Sequence, residues 1–131
     1  MREIKFRAWD EKKKVMRNVN EINFSIKSVQ CEPKDGIDSN LEMYDPILFV
    51  GKYKLMQYTG LKDKNGVEIY EGDILTSNVQ PFKMVNPIKD GHGVVRFENG
   101  MFKLGAISLV TFINKMEVIG NIYENPELLN G

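Results

Sequence analysis

Four carboxylates, Asp63, Glu68, Glu71 and Asp73, fall within eleven residues of one another. Paired carboxylates can work as general acid and base, or hold Mg²⁺. A solvated turn and its flanking strands carry the same residue types for no chemical purpose. Glu71-Gly72-Asp73-Ile74 suggests a structural part in particular, because glycine permits a sharp bend and Asp73 can bond its own backbone to fix the entry to a strand. The sole histidine, His92, sits between Gly91 and Gly93, and the sole cysteine is Cys31. A metal site of roughly three or four His/Cys ligands cannot be assembled from these. As a hydrolase base His92 would need a nucleophile, but no Gly-x-Ser-x-Gly string is present. It is expected as a solvated loop residue. Cys31 adjoins Glu32, the wrong charge to favour a thiolate, and is expected in the core or on an edge strand. Phosphate-cradling glycine loops are absent. Asp63-Lys64-Asn65-Gly66 looks at first like a calcium loop. With Gly66 as its central glycine, however, Leu61 takes the first ligand position and Gly72 the place of the closing glutamate. No metal or cofactor is expected.

Aromatic and basic residues offer a second kind of site. Trp9 alternates with Lys5 and Arg7 on the face of the first strand that reads as charged, where it could stack on a nucleobase or anchor an interface. Packing is the expected role. Lys12-Lys13-Lys14 could extend a basic patch, though a charge run in a hairpin turn is ordinarily just solvated.

Short strands must position these residues. Ile4, Phe6 and Ala8 alternate with Lys5, Arg7 and Trp9, the chain turns over residues 10–14, and Val15 to Val19 returns, giving a β-hairpin. Ile22, Phe24 and Ile26 predict a third strand running toward Cys31. Residues 33–46 carry loop chemistry, Ile47 to Val50 is a short apolar stretch, and Leu55 to Thr59 is a strand. Asn65-Gly66 and Asn99-Gly100 each predict a tight reversal, because this pair supplies positive φ angles. Between them, Ile74-Leu75 opens a strand toward Val79 and a Pro-bracketed irregular stretch comes after it. The second Asn-Gly joins Val94–Phe97 to Met101–Leu104. Ser108–Asn114 fits a short helix or a strand, and Val118–Tyr123 is the last strand. Pro126 opens a single helical turn. The result is a mainly β chain with little helix, either a small barrel or a pair of packed sheets.

With 131 residues the chain is about one domain long. It carries 18 basic and 18 acidic residues, so its formal net charge is zero and a general electrostatic grip on nucleic acid or anionic membrane is not expected. The charge is unevenly spread: residues 1–30 carry eight basic and four acidic side chains, and residues 31–80 carry five and nine. A lone cysteine fits a reducing compartment, and the charged, alternating start does not read as a signal peptide. No apolar run approaches the ~20 residues that span a bilayer. A cytoplasmic protein is expected.

The opening Met1-Arg2-Glu3-Ile4-Lys5-Phe6-Arg7-Ala8-Trp9-Asp10 resembles the start of the YopX family. So do the string from Met56-Gln57-Tyr58-Thr59-Gly60-Leu61 through Asn65-Gly66 to Glu71-Gly72-Asp73-Ile74, the segment Gly93–Phe97, and Glu117–Leu129. The blocks keep their order and cover about half of the chain; 27–54 and 77–92 fall outside them. The resemblance implies a protein of phages and prophages of Gram-positive bacteria, made in the cytoplasm of the bacterial host cell. It also implies one domain over 1–131: a β-meander over 1–32, a variable connection over 33–54, an SH3-like barrel over 55–124 on which the N-terminal hairpin packs, and a tail over 125–131. The family brings no settled function and no catalytic residue. Tyr58, Tyr70 and Glu71 are the residues of its main string that turn geometry does not account for.

Taken together, the expectation is a non-enzymatic accessory protein that binds a host or phage protein or oligomerises with itself. Its candidate contact residues are Arg7, Trp9, Tyr58, Tyr70, Glu71 and Asp73. A nucleic-acid-binding barrel using Lys5, Arg7, Trp9 and Lys12–Lys14 is the alternative, and an enzyme built on Glu68, Glu71 and Asp73 is the third reading.

Overall fold

The computed structural model describes residues 3–11, 13–25, 28–32, 42–43, 53–76, 92–105 and 107–129. Of the loops expected over 33–46 and 80–92, only Glu42, Met43 and His92 are described, and all three lie in strands; the rest of both loops and the apolar stretch over 47–50 lie outside the described residues. The chain is mainly β, as its alternation predicts, and its contacts divide it into two compact units, one of residues 4–57 and one built mostly from Tyr58 onward.

In the first unit, β1 (Phe6–Asp10) and β2 (Val15–Asn23) form the expected hairpin, with Ala8 opposite Arg17 and Asp10 opposite Val15. Asp10 builds the turn. Its Oδ1 accepts from the Lys13 N–H at 3.0 Å, its carbonyl accepts from the Lys14 N–H at 2.7 Å, and Lys14 takes a φ of 58°. The third strand starts later than alternation predicts. β2 runs on to Asn23, whose Oδ1 accepts from the Ser25 N–H at 3.0 Å and folds the chain over, leaving Phe24 82% exposed in the turn. An Asn side chain that can replace a ladder bond overrides a period-two pattern. β3 (Ser28–Cys31) then pairs with β2 across a bulge, followed by β4 (Glu42–Met43), while the first half of β5 (Tyr53–Lys62) pairs with β1 on its other side. The order is β4-β3-β2-β1-β5. Ala8, Val29, Cys31 and Tyr53 are buried together, with Val19 and Leu55 against them, so Cys31 takes the core position expected of it.

The second unit holds the end of β5, then β6 (Glu68–Tyr70), β7 (Asp73–Thr76), β8 (His92–Glu98), β9 (Met101–Leu104), β10 (Ile107–Ser108) and β11 (Glu117–Asn121). β7 to β11 form an antiparallel sheet in the order β10-β9-β8-β7-β11, and the pairing closes no ring among the described residues. Asn99 and Gly100 have φ of 54° and 78°, so the β8–β9 hairpin is the two-residue turn with both central angles positive that Asn-Gly favours. Residues 109–115, open between helix and strand in sequence, form a 3-10 helix ending in Lys115, and Pro126–Leu129 forms the expected single turn. Ile69, Leu75, Val95, Leu104, Leu109 and Met116 make the core, each at most 1% exposed.

Candidate functional site

The string from Tyr58 to Asp73 is where sequence places most of the candidate residues, and the fold gives nearly all of them structural partners. Tyr58 and Tyr70 stand opposite each other on β5 and β6, with ring centroids 5.4 Å apart and planes tilted by 40°. Both are buried. The next pair in register is Lys62 with Glu68, so β5 spends four residues where β6 spends two. Gly60, at φ 87°, carries the chain through this bulge in a conformation that a side chain would strain. Thr59 replaces the ladder bonds lost there. Its hydroxyl donates to the Ile69 carbonyl at 2.8 Å and accepts from the Leu61 N–H at 3.1 Å.

Asp63 organises the turn between β5 and β6. Its Oδ1 accepts from the N–H groups of Asn65 (2.8 Å) and Val67 (2.9 Å), and its Oδ2 accepts from the Val118 N–H at 2.9 Å, 55 positions along the chain. The Lys64 N–H donates to the Met116 carbonyl at 3.0 Å, so the turn lies along the outer edge of β11 and occupies bonds that an edge strand would otherwise offer to another chain. Burial pushes the Asp63 carboxyl up. The three backbone N–H donors and the nearby Lys64 charge outweigh that and hold it below the usual carboxylate range. An aspartate held ionised this way suits the acceptor role it fills. Only Gly66, at φ 83°, takes a positive angle in this Asn-Gly turn, where sequence predicts the two that Asn99-Gly100 uses. The Asp63 carboxylate does part of the work of turning the chain.

Asp73 has the part expected of it, its Oδ2 accepting from the Tyr70 N–H at 2.8 Å across Glu71-Gly72. Glu68 and Glu71 are half-buried. Among the described residues no three His, Cys, Asp or Glu side chains converge on a metal position.

The end of the chain is tied just as closely. Asn121 Oδ1 accepts from the N–H groups of Tyr123 (3.0 Å) and Glu124 (2.9 Å), and Asn125 Oδ1 accepts from the Asn121 N–H at 3.2 Å. A Cβ placed on Gly120 would lie 2.5 Å from that same Asn125 oxygen. Gly120→Ala is expected to push the Asn125 side chain off its bond and cost about 1–3 kcal/mol, read by urea denaturation.

The first unit places the remaining candidates. Trp9 is 6% exposed, between Met16 and Lys54 in register, so it does not stand on a charged outer face and offers no ring for a base to stack on. β1 is covered on both sides, which alternation along a single strand does not reveal. Arg7 is half-buried between Asn18 and Met56, and Ile4, expected to face inward, is 68% exposed. Lys14 pairs with Glu11 at 3.1 Å in the turn. His92 lies in β8 opposite Thr76 and not in a solvated loop, with Nδ1 3.3 Å from the Leu128 carbonyl. Two features escape sequence reading. Arg17 and Asp10 are a buried pair, N to O 3.8 Å, and Phe97 is 54% exposed with its ring 5.0 Å from that of Phe102.

Comparison with known proteins agrees with the sequence blocks. A family model described as "YopX protein" matches residues 5–130. A crystal structure of protein EF1440 from Enterococcus faecalis is 33% identical, with a TM-score of 0.64 over 98% of this chain and 99% of that one. The X-ray structure of protein yopX from Bacillus subtilis is 22% identical, with a TM-score of 0.57 over 100% of this chain and 98% of that one. Among curated proteins none matches. Neither structure's name carries an activity or a ligand. Among the described residues no helix is long and apolar enough to cross a membrane.

Proposed function

The chain belongs to the YopX family, and from that premise we propose that it is a phage- or prophage-encoded accessory protein of the bacterial cytoplasm that works by binding, not by catalysis. Its partner is a protein of the infected cell or a second copy of the chain. The order of the second unit supports a recognition module of SH3-like type: a meander from β7 to β10, a 3-10 helix, and a last strand returning beside β7. Small β modules of this kind present strand edges and loop mouths to partners. Phe97 is the observation that carries the reading. Val95 and Leu104 are a core pair, and Phe97 with Phe102 continues that face toward the hairpin tip, where Phe97 stands more than half exposed. Asp63 and Asp73 hold turns through backbone N–H groups and Tyr58 packs on Tyr70, which supports a structural part for these four residues.

Light scattering over a range of concentrations, alone and with short DNA or RNA at low salt, tests this. A discrete oligomer, or a monomer joined by a protein partner, each indifferent to nucleic acid, is expected. Growth with nucleic acid that reverses as salt rises would overturn it. Phe97→Ser is expected to cost stability only about 1 kcal/mol while weakening association by more than about 2 kcal/mol. Unchanged association would remove Phe97 from the interface.

A further inference from the structure

We propose that Asn99 is a site of spontaneous backbone modification and that the fold protects Asn65, although glycine comes after both. The backbone nitrogen of Gly100 attacks Cγ of Asn99. The N–Cγ bond forms as the N–H proton passes to solvent, the Cγ–Nδ2 bond breaks, and ammonia leaves with a proton from water. Water then opens the imide at either carbonyl to give aspartate or isoaspartate, one water being consumed for each ammonia released.

Steric access does not separate the two sites. Asn65 and Asn99 are both exposed, and a Cβ at Gly66 or Gly100 would meet nothing within 4 Å. Hydrogen bonding does. At the first site the attacking nitrogen, that of Gly66, donates to the Asp63 carbonyl at 3.0 Å. The Asn65 N–H is held by Asp63 Oδ1 at 2.8 Å, and its Nδ2 donates to Glu117 Oε1 at 3.4 Å. All three bonds must yield before Cγ can be reached. Among the described residues no such bond holds the Asn99 carboxamide or the Gly100 N–H. Isoaspartate at this position inserts a backbone carbon into a two-residue turn, breaking the Glu98–Met101 register one residue from Phe97.

The test is a peptide-mass time course on the full chain at mildly alkaline pH, with and without denaturant. In the folded protein Asn99 is expected to convert about tenfold faster than Asn65, equivalent to about 1.4 kcal/mol of barrier. In denaturant the two rates are expected to converge. Asn99→Gly, which keeps the positive φ available, is expected to abolish conversion in the peptide that carries this turn and leave the rate in the Asn65 peptide unchanged, the third Asn-Gly, Asn130-Gly131, being followed in its own peptide. Conversion of Asn65 as fast as Asn99 in the folded chain, or a rate ratio that survives denaturant, would overturn the proposal.

Discussion

Arg17→Met is expected to destabilise the protein by about 3–5 kcal/mol, the usual effect of removing one member of a buried ion pair. The Arg17 side chain is 1% exposed and the Asp10 side chain 3%, with NH1 3.8 Å from Oδ2. Ala8 stands opposite Arg17, Tyr53 opposite Asp10, and Ala8 and Tyr53 belong to the apolar cluster of the first unit. Methionine fills much the same volume, so the expected loss comes from leaving a carboxylate without the guanidinium charge in a dry place, not from a cavity. The double variant R17M/D10N separates the two causes. Asparagine keeps the Oδ1 acceptor that holds the Lys13 N–H but carries no charge, so the double variant is expected to recover at least half of the loss. Denaturant midpoints for wild type, both single variants and the double variant give the coupling. A single-variant cost below about 1 kcal/mol would mean that the pair behaves as a solvent-screened one.

That pair also marks where sequence reading stops. Arg17 falls within Val15-Met16-Arg17-Asn18-Val19, and Arg7 and Trp9 in the strand beside it; a charged residue in an alternating run reads as outward-facing. A strand covered on both faces breaks that inference, and nothing within a single strand reports what lies over it. Features set by short-range backbone chemistry are legible. Asn99-Gly100 is the predicted hairpin turn, Asp73 holds its own turn, and Pro126 opens a helical turn. Asp63 is an intermediate case. Its proximity to Asn65-Gly66 announces a turn, but the reach to Val118 requires a register between distant segments that no local pattern encodes. The same holds for Gly120, whose reason is the side chain of Asn125 folded back on it. For the candidate residues, the structure adds what the family string from Tyr58 to Asp73 does within the fold. It holds a bulge, a turn and an edge, and Tyr58 and Tyr70 are buried.

Removing the Asp63 carboxylate is expected to have the largest effect in the second unit. Asp63→Ala strands the N–H groups of Asn65, Val67 and Val118, and charge-assisted bonds of this kind contribute about 1.5–3 kcal/mol each before water compensates the exposed ones. The expected net loss is about 3–4 kcal/mol, together with an uncovered β11 edge that favours aggregation. The pH dependence identifies the charge as the agent. The folded-state pKa lies below the unfolded one, so the native protein holds its proton less tightly than the unfolded chain does. The stabilisation is therefore complete above the unfolded value of about 3.9 and is lost as pH falls through the lower folded value. Asp63→Asn cannot titrate, so its stability is expected to fall less steeply than that of wild type across this acid range while starting lower at neutral pH. Urea midpoints measured from neutral pH down into that range for wild type and Asp63→Asn decide the matter. Parallel curves would mean that Asp63 binds its proton equally in the folded and unfolded states, and its hydrogen bonds would then owe nothing to the charge.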